Sequence, residues 1–363
     1  MLGDSPVRAV VVGGGIVGAA CARQLEREGF HCVIVERDVM GSGATAAGMG
    51  HVVVMDDSEA QFALTRRSRD LWDAMELPDE VEFERCGTLW VAADEEELEA
   101  VRGKLAYYRE RGVEAELLDA RRLYEAERGL RAGMAGGFLV PGDSVIYAPC
   151  AAAWLGRGIE RKKAEVLTLG DGWVELRGGE RLEGDIVLCA TGAWAAKLTP
   201  GLEVKPRKGH LAITDRYPGA IRHQLIELGY LKSAHGDSTE SVAFNVQPRR
   251  TGQLLIGSSR QYGVEDGGVE RHILERMLRR AVEYLPGLAA MQLIRVWAGF
   301  RAATPDKLPI IGLARNCSRT WLATGHEGLG ITTCLGTAEL LADLVMGRGT
   351  ALRAADYAPG RFA

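Results

Sequence analysis

Residues 7–38 read VRAVVVGGGIVGAACARQLEREGFHCVIVERD, and the fold follows from how this stretch is parsed. Val7–Val12 is a near-continuous apolar, mostly β-branched run, the pattern of a parallel strand buried on both faces. Gly13–Gly15 break that run with a turn. Ile16–Glu28 then reads as a helix, and Gly29 stops it. Cys32–Val35 makes a second strand that closes on Glu36. Strand, turn, helix and strand in this order are one βαβ unit.

Gly13, Gly15 and Gly18 form G-x-G-x-x-G inside that unit. Gly13 permits the tight turn, Gly15 lets a pyrophosphate approach the backbone, and Gly18 lets helix and strand pack closely. The helix start, at Ile16 and Val17, presents N–H groups and the positive end of its dipole to phosphates. Glu36 offers a carboxylate to a ribose diol, and its charge would repel a 2′-phosphate. Arg37 follows it and is assigned to the same site. A purely structural turn is the alternative; the strand context and the terminal Glu favour a dinucleotide.

Three further loops decide which one. Gly41–Gly50 (GSGATAAGMG) brings Ser42, Gly43, Ala44, Thr45, Gly48 and Met49, mostly small residues that let backbone pack against something flat and bulky. Asp185–Ala195 reads as a buried strand ending in a Thr-Gly turn, and its end holds Ala190, Thr191, Gly192 and Trp194. Thr324–Gly330 (TGHEGLG) holds Gly325, His326, Glu327, Gly328, Leu329 and Gly330, and a helix opens near Ile331 and Thr332. Glycine-rich loops at several strand ends meeting one extended ligand favour FAD over NAD.

The chain has 363 residues, 47% of them hydrophobic, which suggests two domains or one large domain with an insertion. A net charge of −5 gives no electrostatic footprint for nucleic acid. Apolar runs are strand-sized, short of the ~20 residues that span a bilayer. No charged-then-apolar leader precedes the first strand, so a cytoplasmic protein is expected, with a peripheral place at the inner membrane also open. The seven cysteines are scattered without a C-x-x-C pair, so neither a metal nor a disulfide framework is expected.

Elsewhere, Ser58 and Gln61 read as a capping box opening a helix to about Leu77. Asp94–Gly112 is an amphipathic, charge-laced helix, and Gly268–Leu285 is helical. Leu211–Pro218 and Ser241–Ser259 read as antiparallel strands with hairpin turns. The fold class is α/β. A discontinuous Rossmann-like FAD-binding domain is expected over residues 1–85, 140–204 and 291–363. An α+β substrate domain on an antiparallel sheet is inserted as residues 86–139 and 205–290.

Together with the first unit, DIVLCATGAWA (185–195), WAGFRAATPDKLPIIG (297–312) and ATGHEGLGITTCLGTAELLADL (323–344) resemble the D-amino-acid-oxidase-like family of FAD-dependent oxidoreductases. The wording GMGHVVVMDDSEAQFALT and GHEGLGITT is similar to the bacterial D-hydroxyproline dehydrogenases; glycine oxidase, sarcosine oxidase and D-amino acid dehydrogenases belong to the same family. The resemblance implies hydride transfer from the α-carbon of an amino or imino acid to flavin N5. It places Val166 and Gly299 among the cofactor contacts and Arg301 at the position that pins the substrate carboxylate. A guanidinium suits that task because its planar fork matches a carboxylate. The alternative is a structural ion pair between Arg301 and Asp306 or another acid.

The resemblance also places the 326–330 loop at the flavin's pyrimidine end, so His326 joins the catalytic candidates. His51 follows the small-residue loop and is set against the substrate or the loop itself. Asn245 stands, after Phe244, on a strand that supplies an active-site residue in relatives, often a tyrosine. Some relatives tether FAD through a cysteine in the AGFR region; Gly299 and Phe300 stand here, so FAD is expected to be non-covalent. Relatives that use oxygen well carry a lysine where Leu255 stands, which favours a quinone or a partner redox protein as electron acceptor over oxygen. Lys205 and Lys208 read as surface or substrate-domain charges. The expected substrate is a small amino or imino acid, with cis-4-hydroxy-D-proline preferred; homo- and hetero-oligomers both stay open.

Overall fold

The computed structural model describes residues 7–229 and 240–362, and the chain divides into two compact units. Unit 1 takes the chain up to Val81, then Ile146–Arg207 and the chain from Phe300 on; unit 2 takes Glu82–Val145 and Lys208–Gly299. Unit 1 begins with β1 (Arg8–Val12), α1 (Ile16–Arg27), β2 (His31–Glu36), β3 (His51–Val52) and α2 (Glu59–Asp73). Unit 2 follows with β4 (Thr88–Ala92), α3 (Glu95–Glu110), β5 (Glu116–Asp119), α4 (Ala120–Ala126), β6 (Gly136–Val140) and β7 (Ser144–Val145). The chain returns with α5 (Ala148–Leu155), β8 (Glu160–Lys163), β9 (Val166–Gly170), β10 (Trp173–Leu176), β11 (Arg181–Glu183), β12 (Ile186–Cys189) and α6 (Ala195–Leu198). Next come β13 (Lys205–Arg216), β14 (Gln224–Glu227), β15 (Glu240–Pro248), β16 (Gln253–Gln261) and α7 (Arg271–Tyr284). β17 (Leu293–Ala303), β18 (Ile310–Leu313), β19 (Thr320–Thr324) and α8 (Gly330–Val345) complete the described elements.

Unit 1 rests on a six-stranded sheet in the order β18-β19-β12-β1-β2-β8. β1 pairs in parallel with both β2 and β12, so the first strand lies inside the sheet. That placement explains its sequence: Ala9, Val10 and Val11 are fully buried, as a strand with neighbours on both edges and layers on both faces requires. Successive strands extend to either side of β1, which makes its carboxyl end a topological switch point, where α/β sheets bind ligands. α1 and α8 pack together, and α2 packs on α8. Gly336 permits that second contact, because a Cβ there would stand 2.5 Å from Ser68 Oγ and 3.1 Å from Leu64 Cδ1.

Unit 2 is an eight-stranded sheet in the order β17-β13-β16-β15-β14-β4-β6-β5. α7 lies over β15 and β16, and Phe244 stacks flat on Tyr284 with ring centroids 4.5 Å apart. The buried core around this pair includes Leu89, Leu225, Val246, Ile256 and Met277.

Several local expectations are adjusted. Ser58 Oγ accepts the Gln61 N–H at 3.1 Å, but Gln61 Oε1 accepts from Asp57 N–H rather than from Ser58 itself. α2 ends at Asp73, short of Leu77, because the Ala74 and Met75 amides fold back onto the Asp70 and Trp72 carbonyls. α7 starts at Arg271, since the Gly268 and Glu270 amides go to the Asp266 carboxylate and to His210 Nε2. Lys208 is a unit 2 charge but not a surface one: it is fully buried, with Nζ 2.9 Å from Glu270 Oε1.

The β1–α1 turn has no room for side chains. A Cβ on Gly18 would stand 2.0 Å from the Gly13 carbonyl oxygen, and one on Gly13, at φ +107°, would stand 2.6 Å from the Ala190 oxygen. Both obstacles are backbone and cannot rotate aside. Gly18→Ala is therefore expected to cost about 1–3 kcal/mol or more of folding stability. Urea unfolding of the variant checks this, and an unchanged midpoint would contradict it.

Candidate active site

The turn after β1 is built to receive a phosphate. Gly15 is the N-cap of α1 and provides no side-chain cap; Thr45 Oγ1 accepts the Ile16 N–H at 3.0 Å. Among the described residues outside its own chain neighbours and helix backbone, that hydroxyl is the sole atom within 4 Å of a Cβ placed on Gly15. Glu36 closes the cradle. Its two oxygens accept the Gly14 N–H at 2.7 Å and the Asp38 N–H at 2.9 Å. A carboxylate oxygen has two lone pairs, so acceptor capacity is left for ribose hydroxyls.

The other loops meet this turn at the carboxyl ends of the parallel strands. Ala190, directly after β12, packs its Cβ against Gly18 and its oxygen against Gly13. Thr324 Oγ1 donates to the Gly192 oxygen at 2.9 Å, joining the ends of β19 and β12. Gly48 faces Ile331 Cδ1, and Gly330 faces Val17 Cγ2, so the small-residue loop and α8 both reach the start of α1. Ser42, Gly43 and Ala44 are at least half-exposed along that loop, while Thr45 and Met49 are buried. Val166 opens β9 beside the Val12–Val35 cluster. Thr191 precedes a short turn ending at Trp194, whose ring meets Phe300 edge-on at 5.3 Å. Arg37 stands apart from the rest, exposed and paired with Asp38 at 3.2 Å. An open helix N-terminus, a ribose-ready carboxylate and glycine cradles that a Cβ would fill together fit an extended dinucleotide such as FAD.

Beside this cradle sits the cationic part of the site. Arg301 lies near the end of β17, and its Nε is 3.5 Å from a Cβ placed on Gly328. Its side chain thus runs along the loop that leads into α8. That loop is tied to β17 by the Glu327 N–H, which donates to the Ala302 oxygen at 3.0 Å. Asp306 is not the partner of Arg301. It makes a forked pair with Arg361, Nε to Oδ2 at 2.7 Å and Nη2 to Oδ1 at 3.0 Å. Burial alone would raise the Asp306 carboxyl, but the Arg361 bonds and the Leu308 amide outweigh it and hold it below the usual range. Arg361 Nη2 also donates to the Leu308 oxygen at 2.7 Å, so the turn after Arg301 is clamped.

α8 begins at Gly330, and its N-cap Leu329 supplies no side-chain cap. Trp72, fully buried, holds that end in place: its indole N–H donates to the Ile331 and Thr332 oxygens at 3.3 and 3.1 Å. Thr332 Oγ1 donates to the His51 carbonyl at 2.8 Å, which brings His51, half-buried on β3, to the same helix. His326 is buried, and its Nε2 lies 3.0 Å from Thr337 Oγ1. Burial lowers its pKa to about 3. The imidazole is therefore neutral in ordinary buffers and supports the loop from within rather than exchanging protons. Asn245 lies in unit 2, on β15, buried and in register with Ile226 and Gly257. Gly299 is the last residue of unit 2, also on β17.

Among the described residues, Glu240, Glu270 and His272 bring possible ligand atoms within 4.8 Å of one another. Those carboxylates already serve Lys208, Gln261 and Arg276, which leaves a charge-balanced cluster. The sequence pointed to Arg301 but gave no sign of Arg361, Trp72 or Arg207. Each acts through a tertiary contact that no local spacing announces.

Fold and cradle together define a flavin-type dinucleotide-binding oxidoreductase. Residues 8–344 match the DAO family model, described as FAD dependent oxidoreductase, and the chain belongs to that family. It is 30% identical to a glycine oxidase of Pseudomonas aeruginosa over 384 aligned positions, covering 97% of this chain and 98% of that protein. The crystal structure of glycine oxidase from Geobacillus kaustophilus superposes with a TM-score of 0.88 at 27% identity, covering 98% of this chain and 99% of that one. L-proline dehydrogenase from P. horikoshii shares the fold, with a TM-score of 0.86 at 23% identity, covering 99% and 98%. The protein is accordingly an FAD-dependent oxidoreductase. Among the described residues, no helix is long and apolar enough to cross a membrane.

The buried His326 sets a pH dependence. Its folded pKa is depressed below the usual histidine value of 6.5, so only the unfolded chain takes up a proton between pH 6.5 and about 3. Stability from this group is intact above pH 6.5 and is lost as pH falls toward 3. The loss reaches about 2 kcal/mol at pH 5. His326→Gln should unfold with a smaller difference between pH 7 and pH 5 than the parent protein; equal differences would contradict the assignment.

Proposed function

We propose that this protein oxidises the C–N bond of a small α-amino or α-imino acid to the imine. The observation that carries the reading is the placement of Arg301, whose side chain lies along the loop at the open N-terminus of α8. In this reading unit 1 holds FAD and unit 2 bears the substrate surface. Bound FAD supplies the hydride acceptor. Gly13, Gly15, Glu36 and Thr45 hold its phosphates and ribose. Gly48, Ala190, Gly192 and the 325–332 segment line the rest of it.

The chain's own residues do the orienting. Arg301 receives the substrate carboxylate on two parallel N–H groups, which fixes the α-carbon in one direction. The first amides of α8 place positive partial charge where the reduced cofactor gathers negative charge. The amine enters neutral, so its lone pair assists departure of the hydride and the protein need not supply a strong base. His51, half-buried on β3 in unit 1, is proposed as a polar neighbour of the substrate.

The substrate is proposed to be small. Similarity to proteins named glycine oxidase supports glycine as an alternative to the preferred cis-4-hydroxy-D-proline, with sarcosine a further candidate. We place a quinone or a redox protein ahead of oxygen as electron acceptor, because the buried Leu255 on β16 offers no cation. Anaerobic bleaching of the flavin by a panel of glycine, N-methyl, D- and L-amino acids and prolines tests the class. Failure of every member would overturn it.

FAD is expected to be non-covalent, since Gly299 and Phe300 offer no thiol. Acid precipitation should leave yellow flavin in the supernatant, and colour retained in the pellet would refute this.

Arg301→Ala should lower kcat/KM for the best acid by roughly 10²–10³-fold, the cost of about 3–5 kcal/mol for breaking a buried charge pair. Arg301→Lys should recover part of it, because an ammonium lacks the fork. The corresponding decarboxylated amine should lose far less. Equal losses for acid and amine would make Arg301 structural.

A further inference from the structure

Glu327 is a carboxylate in an unusual setting. It follows a buried histidine, lies on a glycine-rich loop and has a left-handed backbone at φ +52°, which few residues with side chains adopt. Its side chain is nearly buried and paired with Arg207, itself nearly buried. Its Oε1 accepts the Thr304 N–H at 3.2 Å, while its own N–H donates to the Ala302 oxygen at 3.0 Å. One residue thus grips β17 and its continuation on the C-terminal side of Arg301 at two points. The next residue, Gly328, lies against the Arg301 side chain.

Arg207 adds the charge balance. A buried carboxylate needs a cation close by to be tolerated. With Arg207 balancing its charge, Glu327 fixes the backbone beside Arg301 through its contacts at Ala302 and Thr304. Arg207 and Phe300 are also the unit 1 residues at two of the points where the chain passes between the units. The pair therefore ties together the ends of two crossing segments.

We propose that Glu327 and Arg207 are positioning residues that hold Arg301 in its carboxylate-binding place against the α8 loop. This rests on the reading of Arg301 given above. Neither residue need touch the substrate. Their effect should appear as carboxylate affinity rather than as flavin retention.

The probe is acetate, a carboxylate with nothing else to recognise, titrated into the FAD-loaded protein and followed by the change in flavin absorbance. Glu327→Gln keeps the shape and an acceptor for Thr304 but removes the charge; Arg207→Met keeps the stem and removes the cation. Each should weaken acetate by about tenfold, within the range of coupled neighbours, and the double variant should weaken it no further than the worse single one. Arg207→Lys should recover part of the loss. Thermal unfolding of the same samples without FAD reports folding separately. Unchanged acetate affinity with a lowered unfolding midpoint would show a purely structural pair and overturn the proposal. Independent, additive losses would overturn it too. Arg301→Met is the control for the underlying reading: it should abolish the acetate response, and if it does not, the carboxylate role of Arg301 fails, whatever the pair does.

Discussion

The contact on which unit 1 depends is between two stretches of backbone: Gly18, one turn into α1, lies directly against the Gly13 carbonyl. It fixes how steeply α1 leaves β1. It also brings the first amides of α1 to the sheet's carboxyl edge, where Glu36 can reach back to the Gly14 N–H. Ala190 from β12 closes the other side of the same turn. α8 then packs along α1, and its own N-terminus arrives beside Val17. Two helix N-termini thus open at one edge because one pair of glycines permits a backbone-to-backbone approach.

A second constraint concerns charge. The segments flanking Arg301 carry two carboxylates, Asp306 and Glu327. Left unpaired, either could compete for the guanidinium. The fold commits each elsewhere: Asp306 to Arg361 and Glu327 to Arg207. Both pairs also grip backbone, at Leu308 and at Thr304. The acids next to Arg301 in the chain and in the loop therefore serve as geometry.

What the sequence made legible was local. The βαβ unit shows because strand burial, turn glycines and helix spacing all lie within one stretch. The hairpin of β15 and β16 shows for the same reason, with Arg249–Gly252 between two apolar runs. Arg301 was legible only through its motif, and the motif named Asp306 as a rival partner. Asp306 turns instead to Arg361, 55 positions away. Arg207 and Glu327 are 120 positions apart, and neither looks unusual alone. Lys208 read as an ordinary lysine because burial is a property of the sheet it enters, not of its neighbours in the chain. Helix ends were off by a few residues where side chains diverted amides, as His210 does at Glu270.

His326, Asp306 and the buried thiols of unit 1 each hold one protonation state near neutral pH. His326 is neutral because burial lowers it to about 3, and Asp306 is held ionised. Burial raises the Cys21 and Cys334 thiols on α1 and α8, and pushes the Cys32 thiol on β2 up to about 12, so none forms a reactive thiolate. Arginines stay protonated throughout. A site that performed acid–base catalysis would place at least one group near its working pH. A site that orients a carboxylate while a bound cofactor takes the electrons needs charges that stay fixed while the substrate turns over. A neutral His326 and an ionised Asp306 clamped by Arg361 are compatible with the second kind of site.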